Sequence, residues 1–154
     1  MEQQHRAERQ AGARLALVVE DEALLALEME DVLRSEGFEA RLACTELAAL
    51  AEHPDTLSVA VVNLRLNGRL LGHEVIRRLR RRQPHLPVVV VTGYDSDAPQ
   101  ADLRGLGWPT ARLQKPMQGD ALTAALRSVI AQARTGLRPA GGRRRMDREA
   151  RPSP

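Results

Sequence analysis

The residues best suited to chemistry in this sequence stand where short apolar runs end. Glu20 and Asp21 follow one run, and Asn63, Thr92 and Lys115 end or follow three others. The runs are short and rich in β-branched residues, which is typical of strands buried on both faces of a parallel sheet. Ligands of such sheets bind at the carboxyl ends of the strands. We therefore predict one functional site at this edge, with Asn63 at its centre.

Lys115 stands out by its residue type. The chain has 23 basic residues, and all of them except Lys115 are arginine. The ammonium of lysine is a compact, strongly hydrated charge, whereas the guanidinium of arginine is larger and planar, so a tight site can require one and exclude the other. We predict that Lys115 belongs to the site and is not an ordinary surface cation.

The spacing of apolar residues predicts strands that alternate with helices. The predicted strands are 14–19, 38–43, 57–64, 88–92 and 110–114, and the predicted helices are 22–35, 46–52, 73–83, a short one at 99–103, and 119–133. This alternation is typical of a doubly wound parallel sheet. We predict an α/β, flavodoxin-like fold with five parallel strands in the order 2-1-3-4-5 and helices on both faces. The arginines of the third helix are expected to face solvent.

The two ends of the chain differ from its middle in composition. A length of 154 residues suits one domain, which we place at 14–133, between a polar lead at 1–13 and an Arg-rich tail at 134–154. Both ends lack an apolar period and are expected to be disordered. The formal net charge of +3 arises in the tail, which has seven arginines and two acidic residues.

Three further features bear on location. No apolar run is long enough to span a bilayer, and the start of the chain has no apolar signal core. The single cysteine, Cys44, excludes an intramolecular disulfide and is expected to be a buried, inert thiol. These features predict a cytoplasmic protein.

Taken together, the motifs resemble the receiver domain of two-component response regulators, the CheY-like superfamily, over about residues 14–133. Each motif is weak alone, but four in order at the ends of the right strands are specific. The resemblance rests on the pair Glu20 and Asp21 after the first strand, Asn63 at the acceptor position after the third, Thr92 after the fourth, and Lys115 with Pro116 after the fifth.

The resemblance implies a set of contacts. In the family, the acidic pair and the acceptor bind Mg²⁺ together with a backbone carbonyl two residues past the acceptor, here that of Arg65. A histidine kinase supplies a phosphoryl group, whose oxygens are contacted by a hydroxyl and a lysine, here Thr92 and Lys115. The Lys-Pro peptide bond is usually cis in the family. We expect a signalling module and not an enzyme.

The sequence departs from the family pattern at the acceptor. A carboxamide can ligate a metal, but it is a poor nucleophile and carries no charge, so no acyl phosphate is expected at Asn63 and Mg²⁺ binding is expected to be weakened. Arg112 stands at the family's aromatic switch position, three residues before the lysine. We expect Asn63 to be a structural amide that hydrogen-bonds Lys115. An aspartate-to-asparagine replacement in an ordinary regulator would give the same sequence.

These observations predict a stand-alone receiver-type module of bacterial phosphorelay signalling that acts by protein–protein contact. Its partner would be a histidine kinase or another two-component protein, and its contact surface the fourth helix, the fifth strand and the fifth helix. A homodimer could form through the first and fifth helices or through this same face. Two alternatives stay open: phosphotransfer on another acceptor such as Asp21, and association of the basic tail with nucleic acid, for which the tail alone predicts only unspecific attraction. No membrane partner is expected.

Overall fold

The computed structural model describes residues 14–136, so the predicted lead at 1–13 and the tail from 137 onward lie outside the described residues. The strands of the main sheet are β1 (Arg14–Val19), β2 (Phe38–Ala43), β3 (Leu57–Asn63), β4 (Val88–Thr92) and β5 (Thr110–Gln114). The α-helices are α1 (Ala23–Ser35), α2 (Glu46–Leu50), α3 (Gly72–Arg82) and α4 (Gly119–Thr135), and 3₁₀ helices lie at Pro54–Thr56 and Pro99–Ala101. Two-residue strands at Arg65–Leu66 and Arg69–Leu70 form a hairpin after β3.

The main sheet has five strands in the order β2-β1-β3-β4-β5, and every pairing in it is parallel. The predicted flavodoxin-like topology is therefore confirmed. The register sets Asn63 beside Val91 and Thr92 beside Gln114, so the carboxyl ends of β3, β4 and β5 lie at one edge. This edge is where the predicted site falls.

The core lies in two layers, one on each face of the sheet. Side chains alternate along each strand, so Leu17 and Val19 of β1 join one layer, and Ala16 and Val18 join the other. The first layer packs under α2 and α3, and the second under α1 and α4. Because helices cover both faces of the sheet, nearly every side chain of β3 and β4 is buried, and this explains why the sequences of these two strands are almost wholly apolar.

The segment between β4 and β5 differs from the prediction. A helix was expected at 99–103, but the structure has only a 3₁₀ helix at Pro99–Ala101, and the rest of the segment up to Pro109 is turn and loop. Buried Leu106 and partly buried Leu103 pack against the core layer under α2 and α3 in place of a regular helix. The fourth helix of the predicted contact surface is therefore absent as an α-helix.

Arg80 of α3 holds this segment in place. The expectation that all arginines of this helix face solvent is wrong for Arg80, which is only 6% exposed. Its guanidinium donates hydrogen bonds to backbone oxygens and to one hydroxyl, those of Leu86, Leu106, Pro109 and Thr110. Among residues 14–136 no carboxylate pairs with it, and burial lowers the pKa of Arg80 to about 10, which still leaves it cationic at neutral pH. One buried guanidinium thus ties α3 to the turn before β4, through Leu86, and to the end of the β4–β5 segment.

None of the helices between residues 14 and 136 has both the length and the apolar character needed to cross a bilayer.

Replacing Arg80 tests this attachment. In Arg80→Met several buried carbonyls lose their donor, so we expect the free energy of unfolding to fall by about 3 kcal/mol. The measurement is urea unfolding followed by circular dichroism. The matched control is Arg78→Met, since Arg78 is exposed and among residues 14–136 pairs only with Glu74, and it should change the free energy by less than about 0.5 kcal/mol. Equal losses in the two variants would contradict a role for the buried contacts.

Candidate functional site

The sheet edge brings the predicted polar residues into one cluster. Glu20 directly follows β1 and donates its backbone N–H to the carbonyl of Ala43, which extends the β1–β2 ladder by one bond. Lys115 directly follows β5 and donates its backbone N–H to the carbonyl of Thr92 at 2.8 Å. Glu20, Asn63 and Thr92 are 2%, 5% and 1% exposed, so the cluster has a buried floor. The backbone ladder, not a flexible loop, positions these side chains.

Gly72 supports Asn63 from behind. A Cβ at Gly72 would lie 2.5 Å from the carbonyl oxygen of Asn63 and 2.5 Å from the Cα of Leu64. Only glycine allows α3 to begin this close to the end of β3, and its N–H donates to the carbonyl of Leu64 at 2.9 Å. The backbone of Asn63 is therefore held against the start of a helix. Nothing in the hydrophobic pattern of the sequence predicted this contact.

Lys115 and Asn63 both contact the acidic pair. The Nζ of Lys115 lies 3.2 Å from Oε2 of Glu20 and 3.4 Å from Oε1. The Nδ2 of Asn63 donates to Oε1 of Glu20 and Oδ1 of Asp21, each at 3.3 Å. The expected hydrogen bond between Asn63 and Lys115 is therefore wrong: both side chains donate to Glu20, and the amide oxygen of Asn63 accepts from the backbone N–H of Arg65 instead.

The hairpin after β3 completes the surroundings of Asp21. Asn67, at its turn, has a positive φ of 52° and donates its backbone N–H to Oδ2 of Asp21 at 3.0 Å. Its side chain donates to the carbonyl of Cys44 at 3.3 Å. Sequence reasoning placed Asn67 in a loop but missed its contact with the site; the Asn-Gly pair, which favours a tight turn, was the available signal. Cys44 is exposed, so the expectation of a buried thiol is wrong.

Three further residues predicted for the site or its switch position have backbone or side-chain contacts near the cluster: Thr92, Arg65 and Arg112. The hydroxyl of Thr92 accepts a hydrogen bond from the backbone N–H of Tyr94 at 3.1 Å. Nη1 of Arg112 lies 3.5 Å from the carbonyl oxygen of Tyr94. The backbone N–H of Arg65 donates to Oδ1 of Asn63 at 3.3 Å. The peptide bond between Lys115 and Pro116 is cis, as the resemblance implied.

The two carboxyl groups of the cluster have pKa values that move in opposite directions. Burial raises the pKa of Glu20, and the Glu22 backbone N–H and Lys115 only partly oppose this effect. For Asp21, burial also acts to raise the pKa, but hydrogen bonds from the backbone N–H groups of Asn67 and of Asp21 itself outweigh it, so the pKa is lowered. Asp21 is thus the more firmly ionised member of the pair.

The donor set at this edge can be compared with the needs of a magnesium ion. Mg²⁺ requires oxygen ligands, and Glu20 and Asp21 supply them. Asn63, however, turns its N–H₂ group toward both carboxylates and its oxygen toward Arg65. Among residues 14–136 no group of three or more His, Cys, Asp or Glu side chains is arranged to hold a metal ion. Because Asn63 presents an N–H₂ donor where a metal ligand must be an acceptor, the side chains as they stand do not fit Mg²⁺.

The fold and this edge define a class of protein. The five parallel strands carry an acidic pair, a central residue on β3, a hydroxyl residue and a lysine at their carboxyl ends. A family model described as the response regulator receiver domain matches residues 16–127, most of the chain. The chain belongs to that family, which confirms the resemblance, and it is a receiver domain of the kind found in two-component systems. Receiver domains typically bind Mg²⁺ at this acidic pocket and interact with histidine kinases and other signalling partners.

Two curated proteins are similar to this chain in sequence over most of its length. The sensory transduction protein RegX3 of Mycobacterium tuberculosis is 36% identical over 115 residues, which is 74% of this chain and 49% of RegX3. The transcriptional regulatory protein FixJ of Bradyrhizobium diazoefficiens is 32% identical over 118 residues, which is 75% of this chain and 56% of FixJ. The chain thus spans about half the length of the curated relatives it matches.

Solved structures agree on the fold. NtrX from Brucella abortus superposes with a TM-score of 0.71 at 26% identity, covering 88% of this chain and 32% of that chain. A response regulator receiver protein from Sinorhizobium medicae superposes with a TM-score of 0.68 at 22% identity, covering 80% of this chain and 98% of that chain.

The opposite pKa directions of the two carboxyl groups predict opposite pH effects. Because the folded-state pKa of Glu20 is raised, the stability of the wild type relative to Glu20→Gln should be greatest below about pH 4.5 and fall as the pH rises through that pKa. Because the pKa of Asp21 is lowered, the stability relative to Asp21→Asn should be present above about pH 3.8 and be lost as the pH falls through the folded value. Urea unfolding across pH measures both differences. If the two stability differences changed with pH in the same direction, these pKa assignments would be contradicted.

Proposed function

We propose that this chain is a receiver-type signalling module of bacterial two-component phosphorelays that acts by protein–protein contact and is not phosphorylated at position 63. The observation that carries the proposal is the place of Asn63. It is the last residue of β3, it is buried, and it lies against Glu20 and Asp21, where the family has its acceptor carboxylate. An uncharged amide oxygen is a poor nucleophile, so the acceptor step has no reactive group at this position.

In this proposal the remaining site residues have a structural role: they hold the carboxyl ends of the strands together. Lys115 pairs with Glu20 and thereby connects the ends of β5 and β1. Asn63 connects the end of β3 to the same carboxylate. Thr92 and Lys115, the residues that would contact phosphoryl oxygens in the family, stay as parts of this frame. We propose that the chain itself carries out no catalytic turnover and works in the cytoplasm.

The contact surface is proposed at β5, the outer side of α4 and the β4–β5 segment at 93–109. This segment takes the position expected for the fourth helix. It is fixed to β5 at two points, by Gln114, which donates to Oδ1 of Asp95 at 2.7 Å, and by Arg112 at the carbonyl of Tyr94. A histidine kinase or another two-component protein is the proposed partner, and a second copy of the chain would use the same face. From residue 137 onward the basic tail lies outside the described residues, and it adds no observation in favour of nucleic acid.

Phosphorylation by a small-molecule donor tests the proposal. The full chain is incubated with acetyl phosphate and Mg²⁺, and covalent phosphoryl groups are detected by intact-protein mass spectrometry. We expect no adduct on the wild type, because position 63 has no nucleophilic carboxylate. Asn63→Asp is expected to gain an acid-stable, base-labile adduct, because the acidic pair, Lys115 and Thr92 are already in place.

The matched control replaces a half-buried amide near the C-terminal end of α4, whereas the site lies near the beginning of that helix. Gln132 lies on α4 and bonds only Ser128 among the described side chains, so Gln132→Glu makes the same amide-to-acid change and should stay unlabelled. An adduct on the wild type that disappears in Asp21→Asn would overturn the proposal and make Asp21 the acceptor. An adduct on the wild type that persists in that variant would place the acceptor elsewhere and overturn it as well.

A further inference from the structure

The side-chain amide of Asn63 has one orientation that satisfies both of its ends. Oδ1 accepts from the backbone N–H of Arg65, and Nδ2 donates to the carboxylates of Glu20 and Asp21, all at 3.3 Å. In the reversed amide, the oxygen would face two carboxylates and the N–H₂ group would face an N–H donor. Both contacts would be repulsive. The hydrogen-bond network itself therefore assigns the N–H₂ group to the acidic pair.

The acidic pair is fully engaged by groups of this chain. Oε1 of Glu20 accepts from the backbone N–H of Glu22 at 3.2 Å as well as from Asn63. Oε2 of Glu20 has no hydrogen-bond partner of its own, but the ammonium of Lys115 lies 3.2 Å away. Oδ2 of Asp21 accepts from the backbone N–H of Asn67. Every carboxylate oxygen of the pair thus has a donor or a cation beside it, and Asn63 turns a donor, which cannot ligate a metal ion, toward both carboxylates.

The formal charge of the site also reduces its need for a metal ion. With asparagine at position 63, Glu20, Asp21 and Lys115 carry a formal charge of −1 between them when all are ionised. An aspartate at this position would raise the formal charge to −2 and would put a third carboxylate where the N–H₂ group now donates. Like charges this close repel strongly in a poorly solvated site, and a divalent cation relieves that repulsion.

We propose that the N–H₂ group of Asn63 performs the neutralising task of the divalent cation, so that the site keeps its geometry without metal. This proposal deepens the proposed function and rests on it: a receiver module that is not phosphorylated at position 63 needs no metal for acyl transfer. The chain is then insensitive to Mg²⁺, and its signalling surface does not depend on the metal supply.

Thermal unfolding of the full chain, with EDTA or with MgCl₂, tests the proposal. At about 10 mM Mg²⁺ the Tm of the wild type should change by less than about 1 °C, as for a ligand that does not bind the folded state preferentially. In EDTA, Asn63→Asp should have a lower Tm than the wild type. Mg²⁺ should then raise the Tm of that variant by about 4 °C or more, because the ion binds only its folded state. Gln132→Glu is the control for the charge change and should respond as the wild type does.

Two outcomes would overturn the proposal. One is a Mg²⁺-dependent rise in the wild-type Tm as large as that of Asn63→Asp. The other is an Asn63→Asp variant that is as stable as the wild type in EDTA. If Asn63→Asp does not fold in EDTA, Asn63→Ala takes its place: it loses the donor without adding a charge, and it should have a lower Tm than the wild type in EDTA. A Tm in Asn63→Ala equal to that of the wild type would also contradict the proposal.

The test of the proposed function and the test of this inference can fail independently of each other. Phosphoryl labelling reports on the nucleophile, whereas the Mg²⁺ response is measured on unlabelled protein and reports on the amide. A wild type that takes no label but binds Mg²⁺ would leave the proposed function standing and remove this inference.

Discussion

The carboxylate of Glu20 is the group on which the site depends. It is buried, it directly follows β1, and it accepts from Asn63 at the end of β3 and from Lys115 after β5. Strands that are not neighbours in the chain are thus connected at one edge through a single side chain. Burial raises the pKa of Glu20, and the backbone N–H of Glu22 and the ammonium of Lys115 only partly oppose it, so the ionised form of this carboxyl group is disfavoured relative to water.

Much of the fold could be predicted from the sequence because parallel strands are buried on both faces. The runs in β3 and β4 are almost wholly apolar and stop at polar residues, so their ends could be located from the sequence. Once the ends were located, the topology placed Glu20, Asn63 and Lys115 at one edge. Their convergence followed from strand direction alone. The occurrence of a single lysine beside 22 arginines strengthened the assignment of Lys115 to the site.

The parts that could not be predicted depend on contacts between distant backbone groups. Arg80 is buried because carbonyls from a later segment point at it, and no periodicity within α3 distinguishes it from Arg78. The N–H₂ group of Asn63 and the backbone N–H of Asn67 both donate to Asp21, and these hydrogen bonds depend on how each of the two groups is oriented. The helix expected at 99–103 was a weak pattern, and cover by Leu106 with attachment through Arg80 replaced it. Sequence patterns describe apolar faces well and individual hydrogen bonds poorly.

Lys115 has a further consequence for chemistry in solution. It carries the only ε-amine of the chain, and its side chain is 23% exposed beside a fully buried carboxylate. Guanidinium groups do not undergo reductive methylation, so isotope-labelled formaldehyde would tag this one side chain and the α-amino group. Methylation retains the positive charge and therefore the ion pair with Glu20. The scarcity of lysine thus supplies a spectroscopic reporter at the centre of the receiver, without any change to the sequence.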